Sequence, residues 1–220
     1  MDLIDMIGDL AVWTPYLAGG FAGNVLIAMV SMALGTLLGG ALGWARSQTA
    51  PLRLPADFLT NLCRNVPSFV LLFYVAFALP VEIVWGGHVI SVPLWIKAAL
   101  ALTIPVIGFA ADQSLALRRQ IREGLTSARA TFLTAWLQYF LIIVMASATA
   151  SVIGADEIVG RANRVIAADS RPQFLVVVYV YVSLWFLCAG LAFSALTRAL
   201  ARYWHSPEPE EAPERAGAAP

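Results

Sequence analysis

The sequence predicts an all-α integral membrane protein with five transmembrane helices, and three observations carry that prediction. Hydrophobic residues make up 60% of the 220 and charged residues only 13%, where a soluble domain carries roughly a quarter charged residues. Mean hydropathy is +0.75, so the chain lacks the polar surface to face water. Stretches 17–45, 66–85, 92–117, 131–153 and 173–197 each approach or exceed the about 20 apolar residues that a spanning helix needs.

The N-terminal "MDLIDMIGDLAVW" is acidic and has no positive n-region of a signal peptide. Leu3, Ile4, Ile7, Leu10 and Ala11 recur at helical spacing, with Asp2, Asp5 and Asp9 off the stripe. That pattern predicts a short interfacial helix ahead of the first span. Within the span, Gly35, Gly39 and Gly43 recur every fourth residue, and Gly40 adjoins them. Such spacing lets two helix backbones approach closely; helix packing is the favoured reading and a ligand contact the alternative. Gly19, Gly20 and Gly23 form a second small-residue face, and Asn24 is a polar residue inside the same span.

The second span opens on "NLCRNVPSFVLLFYVAFALP", with Arg64 and Asn65 beside its start and Pro67 in its first turn. Proline is tolerated there, because its missing N–H would be unpaired anyway. Arg64 then lies at the membrane interface, either as a snorkelling anchor or in a specific packing role. Pro105 in the third span is tolerated where neighbours re-satisfy the backbone, and the fourth span follows a short "GLTSARAT". Trp13, Trp44, Trp85, Trp95 and Trp204 sit near span ends, as interfacial anchors do. Residues 1–205 read as one domain, and the acidic, proline-rich 206–220 as a disordered tail.

Basic residues orient the bundle. The links after spans one and three carry Arg46, Arg53, Arg64 and Arg118, Arg119, Arg122, Arg129, and Arg198 and Arg202 follow span five. "VEIVWGGHVIS" has no Lys or Arg, although Lys97 begins span three. After span four, Arg161, Arg164 and Arg171 are balanced by Asp156, Glu157 and Asp169. The bias places the N-terminus outside and the C-terminus in the cytoplasm.

Other classes are excluded by what the sequence lacks. Fourteen basic and fourteen acidic residues cancel, leaving no footprint for nucleic acid. Cys63 and Cys188 form no disulfide framework or ligand spacing, and the histidines are His88 and His205 alone. No metal cluster, phosphate loop or catalytic constellation is expected, so the chain carries no cofactor and no enzymatic site. A chain without a nucleotide site can still transport, with the energy supplied by a partner.

Two blocks carry a family resemblance. "GGFAGNVLIAMVSMALGTLLGGALGWAR" followed by "NLCRNVPSFVLLFYVAFALP" resembles the first half of a bacterial ABC-transporter permease of the polar amino-acid uptake family. Arg64, Asn65, Val66 and Pro67 occupy the family's arginine-glycine-threonine-proline step. "ATASVIGADEIVGRANRVIAADSRPQFLVVVYVYVSLWFLCAGL" resembles its serine-valine-isoleucine-glycine turn, outer amphipathic helix and last span. The resemblance implies a type I ABC importer permease-like fold in the bacterial inner membrane, moving an amino acid or similar small polar solute by alternating access. It further implies a second permease subunit, an ABC ATPase dimer that binds the ATP, a periplasmic solute-binding protein and surrounding lipid as partners.

The sequence also departs from the family. The Glu-Ala-Ala coupling loop between spans three and four is absent, and "ADQSLALRRQIREGLTSARATFLTAWLQYF" runs almost directly from one span to the next. Residues 118–129 reach about 15 Å as one short helix, too little for a helical hairpin. Arg118, Arg119, Arg122 and Glu123 are candidates for ATPase contact, although the arginines are equally positive-inside determinants. The short loop leads to the expectation of a heterodimer whose other half carries the full coupling helix; the alternative is an accessory or scaffold subunit that has lost coupling. Unpaired charge is costly inside a membrane, so the substrate-path candidates are the few polar residues there: Asp112, Gln113, Ser114, Gln138, Tyr139, Ser147 and Thr149. Asp112 is alternatively an interfacial cap or an ion pair with Arg118 or Arg119. Asp156, Glu157, Arg161 and Arg164 are the candidates for binding-protein docking, or else an ordinary solvated helix face.

Overall fold

The computed structural model describes residues 3–169 and 171–204. The acidic tail, His205, and the side chains of Leu3, Ile4, Trp85 and residues 200–204 lie outside the described parts. Helix α1 runs from Leu3 to Arg46. At 1.5 Å per residue it is about 66 Å long, twice the roughly 30 Å hydrocarbon core. The expected interfacial helix and first span are thus one helix, unbroken at Pro15. Its N-terminal third persists because it has partners of its own. Leu10 and Leu17 are buried in a cluster with Ile158, Ala162, Phe174 and Val178.

Helices α2 (Ala50–Asn65) and α3 (Ser68–Ala78) follow, bent by 97° at the residues between them. The expected span over 66–85 is corrected here, because its helix stops at Ala78. Pro80 lacks the N–H that would continue it, and the next residues pair as strands. β1 (Glu82–Trp85) and β2 (His88–Ser91) form an antiparallel hairpin, with Trp85 opposite His88. Gly86 and Gly87 close it at φ +57° and +84°, the left-handed pair that a tight two-residue hairpin turn demands.

Helix α4 (Leu94–Arg122) and helix α5 (Ala128–Ser147) come next, and a 3₁₀ turn over Ala148–Ile153 extends α5. Helices α6 (Ile158–Ala168) and α7 (Pro172–Trp204) complete the order. Four segments are long and apolar enough to cross a membrane: Asp5–Arg46, Leu94–Arg122, Ala128–Ile153 and Pro172–Ala199. The bent α2–α3 pair makes a fifth if it counts as one span. The chain is therefore all-α apart from the hairpin, with a span count that fits five.

The glycine stripe of α1 is a packing seam against α4, which runs parallel to it. Gly35 lies on Val106, Gly39 on the Ile107 carbonyl and Ala110, and Gly43 on Ser114. Ser31 Oγ crosses the same seam to the Ala99 carbonyl at 2.9 Å. Around it the main core gathers Ile27, Met32, Leu72, Leu102 and Val144. The second small-residue face seats the start of α6: a Cβ on Gly20 would stand 2.7 Å from Ile158 Cα.

A Cβ on Gly39 would lie 2.5 Å from the Ile107 oxygen and 2.6 Å from Ala110 Cβ, whereas one on Gly40 meets nothing within 4 Å. Gly39→Ala is therefore expected to destabilise by about 1–3 kcal/mol through overpacking. Gly40→Ala should be neutral or slightly stabilising. Thermal unfolding of the two purified variants checks the contrast.

Candidate functional site

Three polar assemblies interrupt the apolar bundle. The first sits at the α2–α3 bend. Arg46, at the end of α1, donates from Nε to Asp57 of α2 and from Nη1 to Asp112 of α4, both at 2.6 Å. Arg64 Nη1 reaches the other Asp112 oxygen at 3.1 Å, and Arg53 reaches Asp57 at 3.4 Å. One turn above Asp112, Gly108 lets the Arg64 backbone settle on α4, where a Cβ would stand 2.9 Å from Arg64 N. Asn65 Nδ2 donates to the Asn61 carbonyl at 2.8 Å. Of the two readings of Arg64, this geometry favours the packing role: it pins the elbow to α4.

The second assembly is buried and lies toward the other end of α1. Asn24 Nδ2 donates to Ser147 Oγ at 2.9 Å and to Glu157 Oε2 at 3.0 Å. Its Oδ1 accepts from Ile158 N at 3.1 Å. Glu157 caps α6, accepting from Val159 N at 3.0 Å and Gly160 N at 2.6 Å. Asn24, Ser147 and Glu157 are all fully buried. Burial pushes the Glu157 carboxyl above the ordinary glutamate range, against the pull of its N–H donors.

The third assembly is the charged surface on α6 and the start of α7. Asp156 pairs with Arg161 at 2.7 Å and with Arg164 at 2.5 Å. The hydrogen bond from Arg161 leads the shift that holds the Asp156 carboxyl below its usual range. Arg161 also donates to the Tyr16 carbonyl at 2.8 Å and lies over the Tyr16 ring. Arg164 donates to the Tyr16 hydroxyl at 2.9 Å. Arg171 bridges Asp169 and Asp9, tying α7 to α1.

The structure spreads the predicted path residues along the bundle and gathers them at no single point. Asp112 is held in two ion pairs; its partners are Arg46 and Arg64, in place of the expected Arg118 or Arg119. Gln113 is half-buried beside it, and Ser114 lies against Gly43. Gln138 is exposed on α5. Tyr139 stacks on Phe109 with ring centroids 3.8 Å apart, and its hydroxyl donates to the Pro105 carbonyl at 3.3 Å. Ser147 belongs to the buried node, and Thr149 bonds only the nearby Ala146 carbonyl at 2.7 Å.

Residues 118–129 form no helix of their own, which corrects that expectation. Arg118, Arg119 and Arg122 lie on the last turns of α4, and Glu123 caps it. Gly124, at φ +78°, turns the chain toward α5. Arg118, Arg119, Arg122 and Glu123 are exposed. On the charged surface of α6, Glu157 is corrected as a docking candidate because it is buried and spent on capping. Asp156 and Arg164 keep about half their side-chain surface exposed, and Arg161 is largely covered.

Sequence reasoning passed over Lys97, Gly108 and the Arg46–Asp57 pair, and gave Asn24 no role. A lone amide and a lone ammonium in apolar stretches are the signals that mark Asn24 and Lys97.

A 67-residue segment is 40% identical to the probable amino-acid ABC transporter permease protein YckA of Bacillus subtilis (strain 168). It covers 30% of each protein, so the chain matches less than a third of that relative's length. No protein-family model matches the chain. The fold is similar over 92% of this chain and 99% of the other to a crystal structure of an amino acid ABC transporter with histidines, at TM-score 0.71 and 17% identity. The inward-facing MetNI methionine ABC transporter matches over 85% of this chain and 97% of its own, at TM-score 0.61 and 19% identity. The fold is that of an ABC-transporter permease, as the sequence resemblance implied.

Asn24→Leu strands the Glu157 carboxylate and the Ile158 N–H in a buried site, and is expected to cost about 2–4 kcal/mol. Asn24→Asp sets two carboxylates side by side. Its stability should fall at neutral pH and recover as acid lets the pair share a proton. Unfolding of both variants followed against pH checks this, with only a partial recovery in acid expected for Asn24→Leu, whose Ile158 N–H stays unpaired at any pH.

Proposed function

We propose that the chain is the permease subunit of a binding-protein-dependent ABC importer for an amino acid or similar small polar solute in the bacterial inner membrane. The observation that carries this reading is the permease fold, matched over nearly the whole chain. The segment identity to YckA supports the amino-acid class. The subunit works by alternating access, with its N-terminus outside and its C-terminus in the cytoplasm. Hydrolysis of ATP belongs to a separate ATPase pair. A periplasmic solute-binding protein delivers cargo to the outer face, where Asp156, Arg161 and Arg164 offer a charged rim that sets orientation and on-rate.

The α4–α5 link supports a one-sided motor. Only residues 123–127 separate the two helices, so this half presents a corner in place of a coupling helix. We assign the main ATPase coupling to a second permease subunit, with Arg118, Arg119, Arg122 and Glu123 as a lesser contact of this chain. The path residues Asp112, Gln113, Ser114, Gln138, Tyr139, Ser147 and Thr149 remain its polar lining in this reading. Asp112 is there as the anchor of the elbow and not as a free carboxylate.

The same short link also motivates the second reading, a scaffold subunit without coupling. Co-purification of the tagged chain from native membranes, followed by mass spectrometry and uptake into proteoliposomes, separates the two. Recovery of an ATPase and a second permease with a full coupling loop, and uptake that requires this chain, is the expected result. A complex that hydrolyses ATP and transports equally well without this chain overturns the importer reading and favours the scaffold.

A further inference from the structure

Helix α3 ends with backbone that its own helix cannot satisfy. In a continuing helix the Ala76 carbonyl would accept from the N–H of residue 80, but residue 80 is proline. Leu79 N donates to Val75 O at 3.1 Å and closes one carbonyl. The Leu79 backbone is extended, at φ −83° and ψ 134°, which leaves its own oxygen outside the helical ladder. Two carbonyl oxygens thus converge just beyond the last turn of α3. The negative end of the helix dipole lies at the same place, where a cation is favoured.

Lys97 fills that place. It sits on the first turn of α4 and is 1% exposed. Its Nζ donates to Ala76 O at 3.0 Å and Leu79 O at 2.8 Å. None of the ion pairs found among the described residues involves it. A buried ammonium without a carboxylate is costly. Here the counter-charge comes from peptide carbonyls, and the ammonium in turn replaces the N–H that Pro80 withholds.

We infer that the carbonyl end of α3 is a binding site for a primary ammonium ion, which the protein fills with its own Lys97. The half-span is thereby locked to α4 by a cation as well as by packing, and the site is closed to any other cation while the lysine occupies it. This assignment rests on the geometry of α3 and α4 and is independent of the transport reading. Removing the side chain should open a cavity with two carbonyls facing it, sized for a small alkylammonium ion.

The experiment uses the purified full chain in lipid nanodiscs, as wild type, Lys97→Ala and Lys97→Met. Unfolding temperature is read in sodium chloride, in propylammonium chloride at equal ionic strength, and in propanol. Both variants should unfold several degrees below wild type. Propylammonium should raise Lys97→Ala toward wild type, while propanol does not. Lys97→Met, whose stem refills the cavity without a charge, should respond to neither. Equal stabilisation of Lys97→Ala by propanol and propylammonium overturns the proposal, because the site would then be a plain apolar cavity. So does a uniform shift of all three proteins by propylammonium. If Lys97→Ala fails to accumulate, Lys97→Met decides alone: an unfolding temperature equal to wild type removes the need for the cation.

Discussion

The constraint on which the rest of the structure depends is that a helix interrupted in an apolar bundle exposes backbone groups that no water is there to satisfy. At three of the helix breaks among the described residues, polar side chains reach in from another helix. At the α2–α3 bend, Asp112 of α4 and Arg46 of α1 hold Arg64 and Asp57. At the end of α3, Lys97 of α4 supplies the missing donor. At the start of α6, Asn24 of α1 meets the Ile158 N–H and orients Glu157 as the cap. Of the buried polar residues, Asn24, Glu157 and Lys97 are thus engaged in these closures.

All three closures draw on α1 or α4, and these two helices share the tightest seam in the molecule. Glycines at positions 35, 39 and 43 bring the backbones so close that a methyl group at Gly39 would collide with main chain. The closeness has a geometric consequence. Side chains as short as asparagine and aspartate can span from one helix of the pair to a third element, which longer interaxial distances would forbid. The N-terminal third of α1 extends the same spine past the seam, so α6 and α7 pack on a helix already fixed to α4.

This arrangement explains which features were legible in the sequence. Apolar length gave the spans, because the hydrocarbon thickness sets a length that composition alone reports. The glycine spacing gave the seam, because one face of a helix repeats near every fourth residue. The short α3 was not legible, since "SFVLLFYVAFALP" is as apolar as any span and only Pro80 and the Gly86–Gly87 pair mark the turn to strands. Nor were the partners of Asp112. Arg118 and Arg119 are near it in sequence, but both are exposed, and charges brought together by a 97° bend leave no trace in spacing. Glu157 misled for a similar reason. Next to Asp156 it reads as a surface charge, yet the cap geometry turns one carboxylate inward while its neighbour stays with the arginines.

Helix α4 is the element through which these parts communicate. Lys97 holds the C-terminal end of α3, Gly108 and Asp112 hold the elbow before it, and Arg118 to Arg122 form the corner before α5, all on one helix of 29 residues. Some 15 Å separates Asp112 from Arg122 along the axis, and about 37 Å separates Lys97 from Arg122. One helix, with Pro105 inside it, therefore links the corner before α5 to both ends of α3. The α1–α4 seam joins the long first helix, with the start of α6 seated on it, to the same element.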